Sequence, residues 1–367
     1  MTKKIRLIGI AALGLVWLAL TAAAWFSPAE EISDAERRKL AQFPGISTES
    51  VLSGSFMSDF EDYTLDQFPA RDTFRRLKAL VHYGVLGQRD NNGIYLADGY
   101  AAELEYPLDE TSVSNAVKKL NSIYESYLKD TGSRILMTVI PDKGYYLAEK
   151  NGYLAMDYDA LIARMREGMP WAEYVDITGL LSAEDYYRTD THWRQEAILD
   201  VAQRLCGALG TTIPGEEEFH AAAVERPFYG VYYGQAALPM EAETIWLMES
   251  DTLAGCRVYN HETGNAAAVY DLDKLDSRDL YDVYLSGAAA LLTIENPNAD
   301  SDRELIVFRD SFGSSLVPLL VSDYATVTLV DIRYISSSLL EQFLDFHGQD
   351  VLFAYSTLVL NNSGSLK

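Results

Sequence analysis

The chain begins with an apolar segment that is long enough to cross a membrane. Three basic residues precede an uncharged run from Leu7 to Phe26: Lys3, Lys4 and Arg6. A helix of this length spans a hydrocarbon core of about 30 Å, and the leading positive charges keep the N-terminus inside. Residues 1–27 are therefore predicted to be a signal anchor or, alternatively, a signal peptide cleaved near Ala22–Ala24. On either interpretation the rest of the chain works outside the cytoplasm.

Periodic apolar positions predict two amphipathic helices further along the chain. In the first, apolar side chains recur at helical spacing from Val113 to Tyr127, after an expected N-cap at Thr111 or Ser112. In the second, they recur from Ala197 to Leu205. Two apolar runs in the same part of the chain are predicted strands: Arg134–Ile140, which Pro141 ends, and Tyr174–Ile177.

The C-terminal third alternates short apolar runs with helical segments. Its predicted strands are Leu305–Phe308, Ala325–Val330 and Val351–Tyr355. A helix through Leu320 is expected after the first strand. A second helix is expected to open on a capping box at Ser338–Glu341 and to bury Leu340, Phe343 and Leu344.

This alternation predicts an α/β fold, in which helices cover both faces of a parallel sheet. Ligands of such sheets bind at the carboxyl ends of the strands. The predicted organisation is a membrane segment over residues 1–27, a stalk over 28–55 and one large domain over 56–367. Within that domain, residues from about 211 to 303 are less regular and are expected to form an insertion with some antiparallel character.

The net charge of the chain argues against some classes of ligand. The 54 acidic and 30 basic side chains give a formal charge of −24, and residues beyond the N-terminal segment carry −27. Such acidity argues against nucleic acid, because phosphate contacts need Lys or Arg, and against a basic face that binds anionic lipid. An anionic glycan would be repelled at long range, so a neutral acceptor or local basic groups such as Lys143 and Arg309 are favoured.

Cysteine and histidine are scarce. The sequence has five His and two Cys, too few for an ordinary zinc cluster, and we predict no metal and no cofactor. Outside the cytoplasm, Cys206 and Cys256 are expected either to form one disulfide or to remain two buried free thiols.

Two short motifs stand where the fold predicts a site. Asp190 and His192 are two residues apart on an extended turn, so the carboxylate can reach one ring nitrogen and orient the imidazole. Asp310, Ser311 and Phe312 directly follow a predicted strand, where a serine presents its hydroxyl above the sheet and its amide can stabilise an oxyanion. Together they predict acyl transfer with Ser311 as nucleophile, His192 as general base and Asp190 as its orienting group. Taken singly, the Asp-x-His motif is more typical of a surface turn with an Asx or N-cap bond, and the Asp-Ser pair after a strand is more typical of a helix cap.

Further residues are candidates for substrate binding or for support of the site. Lys143 follows a predicted strand and is expected to contact a sugar or, alternatively, to form a structural ion pair. Arg333 is expected to anchor the site or to form a salt bridge with Asp331. Trp193 is expected to pack behind His192. The remaining candidates adjoin the two motifs or the region before the last predicted strands: Arg309, Asp310 and Gly287.

The sequence resembles the DHHW protein family and its AlgX/AlgJ relatives, which are SGNH-hydrolase-like extracytoplasmic proteins associated with O-acetylation of exopolysaccharides. The resemblance rests on short stretches spread over most of the chain: 36–44, 60–63, 66–72, 141–143, 187–193, 281–285, 310–312 and 331–334. It implies a flavodoxin-like SGNH fold and a triad of Ser311, His192 and Asp190. It also implies a polysaccharide acceptor and a membrane-bound O-acyltransferase that supplies the acetyl group.

The chain departs from the family pattern at three positions. Thr191 stands where the family motif has a second His, a form similar to the AlgX/AlgJ branch. Ala288 stands where an Asn is expected after Leu285, and losing such an oxyanion donor costs about 2.7–4 kcal/mol. Arg309 stands where an SGNH enzyme would have Gly before its Asp-Ser pair, which suggests that Ser311 is held less tightly.

The sequence therefore predicts a cell-envelope O-acetyltransferase that acts on a surface or secreted polysaccharide. Two alternatives remain open. One is an acetylesterase with the same triad and water as the acceptor, and the other is a non-catalytic glycan-binding or assembly protein.

Overall fold

The computed structural model describes residues 3–211, 215 and 219–367. Residues 1–2 of the predicted membrane segment, and 212–214 and 216–218 of the predicted insertion, lie outside the described residues. The chain divides into two compact units. The N-terminal unit comprises Met1–Asn92 and Tyr233–Pro239, and the sheet unit comprises Gly93–Tyr232 and Met240–Lys367.

The N-terminal unit is mostly helical. Its helices are α1 (Lys3–Phe26), α2 (Thr48–Ser53), α3 (Ser55–Asp66) and α4 (Arg71–Gly84). Its short strands are β1 (Ile32–Ser33), which pairs antiparallel with β2 (Arg38–Lys39), and β3 (Asp90–Asn91). Over Lys4–Phe26, α1 is long and apolar enough to cross a membrane, with a mean hydropathy of 2.3, and it is not buried against protein.

Ion pairs form the interior of the N-terminal unit. Glu36 contacts Arg71 and lies 3.1 Å from Arg75. Asp66 accepts hydrogen bonds of 2.5 and 2.7 Å from Arg38, and these bonds lower the pKa of its carboxyl. Among the described residues up to Asn92, the only buried apolar side chains are Leu40 and Ala79.

Large apolar side chains of this unit lie on its outside. Beyond α1, thirteen of them are exposed between Phe43 and Leu86: Phe43, Ile46, Val51, Leu52, Met57, Leu65, Phe68, Phe74, Leu77, Leu80, Val81, Val85 and Leu86. The N-terminal unit thus has polar groups inside and apolar groups outside.

The sheet unit has the strands that the sequence predicts and several more, although the strand predicted at Tyr174–Ile177 extends only over Glu173–Tyr174. In chain order they are β4 (Ile94–Ala97), β5 (Tyr100–Glu103), β6 (Ile135–Ile140), β7 (Glu173–Tyr174), β8 (His220–Ala223), β9 (Trp246–Glu249), β10 (Arg257–Asn260), β11 (Asn265–Ala267), β12 (Leu291–Glu295), β13 (Glu304–Arg309), β14 (Thr326–Val330) and β15 (Asp350–Ser356). Eight of them form the main sheet in the order β11-β10-β12-β14-β13-β15-β6-β7. The antiparallel pairs β4-β5 and β8-β9 lie outside it.

The helices of the sheet unit are short to medium in length. They are α5 (Glu110–Ile123), α6 (Gly144–Leu147), α7 (Tyr158–Gly168), α8 (Leu199–Leu209), α9 (Val231–Ala236, which belongs to the N-terminal unit from Tyr233 on), α10 (Asp251–Gly255), α11 (Gly313–Leu316) and α12 (Thr357–Asn361). A π-helical turn, Tyr124–Leu128, extends α5, and 3₁₀ turns occupy Val317–Leu320 and Ser337–Gln342.

Helices cover both faces of the sheet, as predicted. From β14 to β7 the neighbouring strands are parallel, and successive side chains of β13 enter different cores. Leu305 and Val307 pack in the cluster that contains the buried face of α8, whereas Ile306 and Phe308 pack in the cluster that contains α5 and α7. The predicted α/β class with a mostly parallel sheet is confirmed.

The predicted insertion supplies the antiparallel edge of this sheet. Strand β10 pairs antiparallel with β11 on one side and with β12 on the other, and β12 pairs antiparallel with β14. Cys206 and Cys256 are both buried free thiols, which is one of the two predicted alternatives. Burial raises the thiol pKa to about 12 for Cys206 and about 11 for Cys256.

Three local predictions were wrong. The N-cap of α5 is Asp109, whose carboxylate accepts from the amides of Thr111 and Ser112. The predicted capping box at Ser338–Glu341 does not form, because the segment is a 3₁₀ turn whose N-cap makes no side-chain bond. Phe343 is 50% exposed and is not buried beside Leu340.

Candidate active site

The first part of the site is the turn that follows the central strand β13. Asp310 ends the strand and is fully buried. One of its carboxylate oxygens accepts from the Phe312 amide at 3.0 Å, and the other accepts from the Ser356 amide at the end of β15 at 2.7 Å. Asp310 therefore ties two neighbouring strand ends together and leaves Ser311 at the tip of the turn.

The second part is the loop between Tyr186 and Trp193, which form an isolated antiparallel bridge. Asp190 lies in this loop and is fully buried. Its Oδ1 lies 2.6 Å from His192 Nδ1 and accepts from the His192 amide at 3.1 Å, while its Oδ2 accepts from the Val231 amide at 2.9 Å. The carboxylate thus fixes the orientation of the imidazole and is itself held on its second oxygen.

The two parts meet at the hydroxyl of Ser311. His192 Nε2 lies 2.8 Å from Ser311 Oγ, within hydrogen-bond distance. Ser311 is half-buried, and the His192 side chain is 10% exposed. The structure thus brings together Ser311, His192 and Asp190, which are far apart in sequence.

Aromatic rings hold the imidazole from the side. The Tyr281 ring stacks on His192 with centroids 3.9 Å apart and planes 7° apart, and Phe312 lies at 5.0 Å. Ser315 links this packing to Trp193, because its Oγ lies 2.8 Å from the Tyr281 hydroxyl and accepts from Trp193 Nε1 at 3.0 Å. Neither Tyr281 nor Ser315 is among the site residues predicted from the sequence.

A comparison with known proteins bears on this geometry. The family model described as DHHW protein matches residues 179–330, a range that contains Asp190, His192 and Ser311. The resemblance to the DHHW family is confirmed. No curated protein matches the chain.

Two solved structures share the fold at low sequence identity, and the chain is also similar to a third. A DHHW family protein from Eubacterium siraeum is 21% identical, with a TM-score of 0.58, over 75% of this chain and 95% of its own. PatB1 from Bacillus cereus, solved with a sulfonyl adduct, is 15% identical, with a TM-score of 0.57, over 73% and 95%. The O-acetyltransferase domain of Pseudomonas putida AlgJ is 15% identical, with a TM-score of 0.45, over 73% and 92%.

In this DHHW-like fold Lys143 lies beneath the loop of Asp190 and not on the surface. Its ammonium group is fully buried and donates 2.6 Å hydrogen bonds to the backbone carbonyls of Tyr187 and Asp190. It lies 5.0 Å from the ring centroid of Tyr232. Burial lowers the pKa of Lys143 to about 7, against the opposing influence of Asp190 and Glu243. Lys143 therefore supports the loop from inside.

Glu243 holds the same loop from the other side, and sequence reasoning missed it. Its carboxylate accepts from the Arg188 amide at 2.6 Å, and from the amide and hydroxyl of Thr189 at 2.7 and 2.6 Å. Gly230 approaches the backbone of Asp190 so closely that a Cβ at position 230 would collide with it. Because Glu243 bonds mainly to backbone amides, a search for paired charged residues would not find it.

The DHHW-like chain has a buried charge cluster next to the Ser311 turn. Arg309 is 1% exposed and donates to the Asp310 carbonyl at 3.2 Å and to Ser314 Oγ at 3.1 Å. Arg333 forms a bidentate pair with Asp331 at 2.9 and 2.7 Å, which is one of the predicted alternatives. Burial lowers the pKa of Arg309. Arg309 braces the turn from below.

Gly287 lies in a loop with unusual backbone angles. Leu285, Ser286 and Gly287 have φ values of 57°, 61° and 85°, three consecutive residues in the left-handed region. A Cβ at position 287 would also collide with the Asp282 carboxylate. Ala288, where the family pattern has Asn, is exposed.

Among the residues that the structure describes, no group of three or more His, Cys, Asp or Glu side chains is arranged to hold a metal ion.

Proposed function

We propose that this chain is an extracytoplasmic SGNH-like O-acyltransferase that moves an acetyl group onto a hydroxyl of a cell-surface or secreted polysaccharide. The observation that carries the proposal is the continuous contact from Asp190 through His192 to Ser311, with distances of 2.6 and 2.8 Å. Such a constellation activates a serine hydroxyl for attack on an ester carbonyl.

In the first half-reaction, Ser311 Oγ attacks the carbonyl carbon of the acetyl donor while His192 Nε2 accepts the hydroxyl proton. The tetrahedral intermediate collapses, the bond to the donor oxygen breaks, and His192 returns its proton to that oxygen. Asp190 stays ionised and stabilises the imidazolium. The product is an acetyl ester on Ser311.

In the second half-reaction, His192 accepts the proton of a sugar hydroxyl as that oxygen attacks the acetyl carbon. Collapse releases the acetylated sugar, and the proton on His192 returns to Ser311 Oγ. With water in place of the sugar, the same steps give acetate, which is the esterase alternative.

The oxyanion formed in both half-reactions needs hydrogen-bond donors. The Ser311 amide is one candidate, since it lies at the turn that precedes α11. With Ala288 in place of the family Asn, we expect a barrier higher by about 2.7–4 kcal/mol than a site with that second donor. This difference predicts slow turnover, and it is also the observation that favours the non-catalytic alternative.

The proposal also includes how the chain is attached to the membrane and what charge its acceptor carries. Helix α1 would anchor the chain, and a membrane-bound O-acyltransferase would supply the acetyl group, as the family resemblance implies. Because Lys143 and Arg309 are each 1% exposed, neither offers a charge to the substrate. An acidic protein without these local charges favours a neutral glycan as the acceptor.

The test is acetyl transfer from p-nitrophenyl acetate by the full chain in nanodiscs, with and without a neutral glycan. Ser311→Ala should lower acetyl release and transfer at least about 10³-fold. Ser338→Ala, which changes an exposed serine, is the matched control and should leave both rates unchanged. Full activity of Ser311→Ala would refute the assignment, and glycan binding without turnover in either protein would favour the non-catalytic alternative.

A covalent probe gives a second, substrate-independent readout. PatB1 has been solved with a sulfonyl adduct. An aryl sulfonyl fluoride should form a bond from Ser311 Oγ to sulfur, with loss of fluoride and transfer of the hydroxyl proton to His192. Peptide mass spectrometry should find the adduct on Ser311 in the unsubstituted chain and not in the His192→Ala variant.

A further inference from the structure

The exposed apolar side chains of the N-terminal unit include a continuous stripe on helix α4. Phe74, Leu77, Leu80 and Val81 follow one another at helical spacing and are 43%, 55%, 51% and 38% exposed. We call these four residues the α4 apolar stripe. Soluble surfaces carry single apolar residues routinely, but a contiguous set of large ones marks a contact surface.

The opposite side of α4 is committed to the interior of the unit. Ala79 is fully buried, and Arg75 ion-pairs with Glu36 and donates to the Gly234 carbonyl at 2.8 Å. Rotating the helix to bury the stripe would therefore expose Ala79 and break the ion pairs of its N-terminal turns. The stripe is fixed on the outside by the polar interior.

Charge in this part of the chain differs from the rest. Residues 27–92 hold eight basic and eleven acidic side chains, a net −3, whereas residues 93–367 carry −24. Within α4 four basic residues outnumber one acidic residue, and Arg76 and Lys78 are exposed beside the stripe. Apolar residues on one side with exposed Lys and Arg beside them are typical of helices that lie at a membrane interface.

We propose that the α4 apolar stripe rests on the surface of the lipid bilayer that α1 is suited to cross. Phe43, the first of the exposed apolar residues beyond α1, lies only seventeen positions after Phe26, the end of α1. Even fully extended, that segment reaches at most about 60 Å, so a membrane-inserted α1 keeps the beginning of the exposed apolar surface within that distance of lipid. Helix α4 belongs to the same compact unit as this segment. The net negative charge of the whole chain disfavours binding to anionic lipid, but most of that charge lies outside residues 27–92.

The test places a fluorescent label on the stripe of the full chain. Leu77→Cys is labelled with an NBD maleimide and reconstituted at one chain per nanodisc, in phosphatidylcholine brominated near the headgroup end of its acyl chains. The unsubstituted chain measures the background, which should be low because Cys206 and Cys256 are buried and their thiol pKa values are raised. Leu154→Cys is the matched control, because Leu154 is 58% exposed in the sheet unit.

We expect brominated lipid to quench the label at position 77 at least twofold more than the label at 154, and aqueous iodide to show the reverse order. Equal iodide quenching at both positions would overturn the proposal. So would a label at 77 that neither quencher reaches, because a protein surface and not lipid would then cover the stripe. Leu80→Cys repeats the measurement if labelling at 77 changes the circular dichroism spectrum. None of these outcomes depends on catalysis.

Discussion

The two units of this chain are organised in opposite ways. In the sheet unit, apolar side chains such as Phe308 and Leu352 fill the interior, and two clusters cover the two faces of the sheet. In the N-terminal unit, Glu36 and Asp66 form ion pairs with arginines where the sheet unit has an apolar core, and the large apolar side chains lie outside. The sheet unit thus keeps its apolar side chains away from water, whereas the N-terminal unit presents them on an outer surface that is suited to an apolar environment.

This difference in packing explains why the candidate site lies in the sheet unit. A triad needs side chains held to within fractions of an ångström, which packed strands and buried hydrogen bonds provide. Asp310 ties β13 to β15, and Lys143 and Glu243 hold the loop of Asp190. The N-terminal unit has no comparable packed core among its described residues, and it is better suited to attachment than to chemistry.

The largest difference that we expect between the two units is in how far a large-to-small substitution lowers the free energy of unfolding. Phe308→Ala removes a fully buried ring that stacks on Phe353 with centroids 4.7 Å apart, so we expect a loss of about 3–5 kcal/mol in the free energy of unfolding. Leu77→Ala removes atoms from the outside of α4 and leaves no cavity, so its effect should lie within about 0.5 kcal/mol of zero. Urea unfolding followed by tyrosine and tryptophan fluorescence compares the two variants. Similar losses would mean that the stripe is packed against protein.

A smaller effect is expected from the polar interior of the N-terminal unit. Glu36→Gln keeps the shape of the side chain but removes the charge that Arg71 and Arg75 face, and we expect a local loss of about 1.5–3 kcal/mol. Hydrogen exchange of the α4 amides should accelerate about ten- to a hundred-fold, while β13 in the sheet unit should not change. Glu173→Gln, which alters an exposed pair with Arg134 at 3.6 Å, is the control and should have little effect. Unchanged exchange in α4 would show that the ion pairs do not hold it.

Much of the sheet unit could be predicted from sequence because its signals are local. Strands β6, β13, β14 and β15 are predominantly apolar runs. Ser311 lies in the turn after β13 and His192 in the loop before α8, and the parallel arrangement of the strands brings the two near one another. Where the sequence offered two candidates for one role, a neighbouring residue fills that role in the structure. Asp109 caps α5 in place of the two candidates that follow it, because its carboxylate reaches both of their amides.

The remaining features depend on partners that no local pattern reveals. Glu36 meets Arg71 and Arg75 more than thirty residues away, so the polar run that contains it reads as a surface segment. Lys143 bonds to backbone carbonyls and Glu243 mainly to backbone amides, and any residue type offers those groups. The reversal of inside and outside in the N-terminal unit follows from such distant pairs.

The smallest effect, taken over a single pH unit, is expected from a buried cation of the sheet unit. Lys143 is a fully buried ammonium whose hydrogen-bond partners are carbonyls and not carboxylates, in contrast to the paired arginines of the N-terminal unit. Its pKa falls from 10.5 to about 7 on folding, so between these values the unfolded chain binds one proton more than the folded chain. The free energy of unfolding contributed by this group therefore rises with pH from about 7 to 10.5, by up to about 1.4 kcal/mol per pH unit, and below pH 7 its full cost is present.

Lys143→Met should remove this slope relative to the unsubstituted chain, in urea unfolding measured across that range, whereas the exposed Lys150→Met should keep it. Identical slopes in the Lys143→Met variant and the unsubstituted chain would mean that Lys143 stays protonated in the folded protein and that an anion compensates its charge.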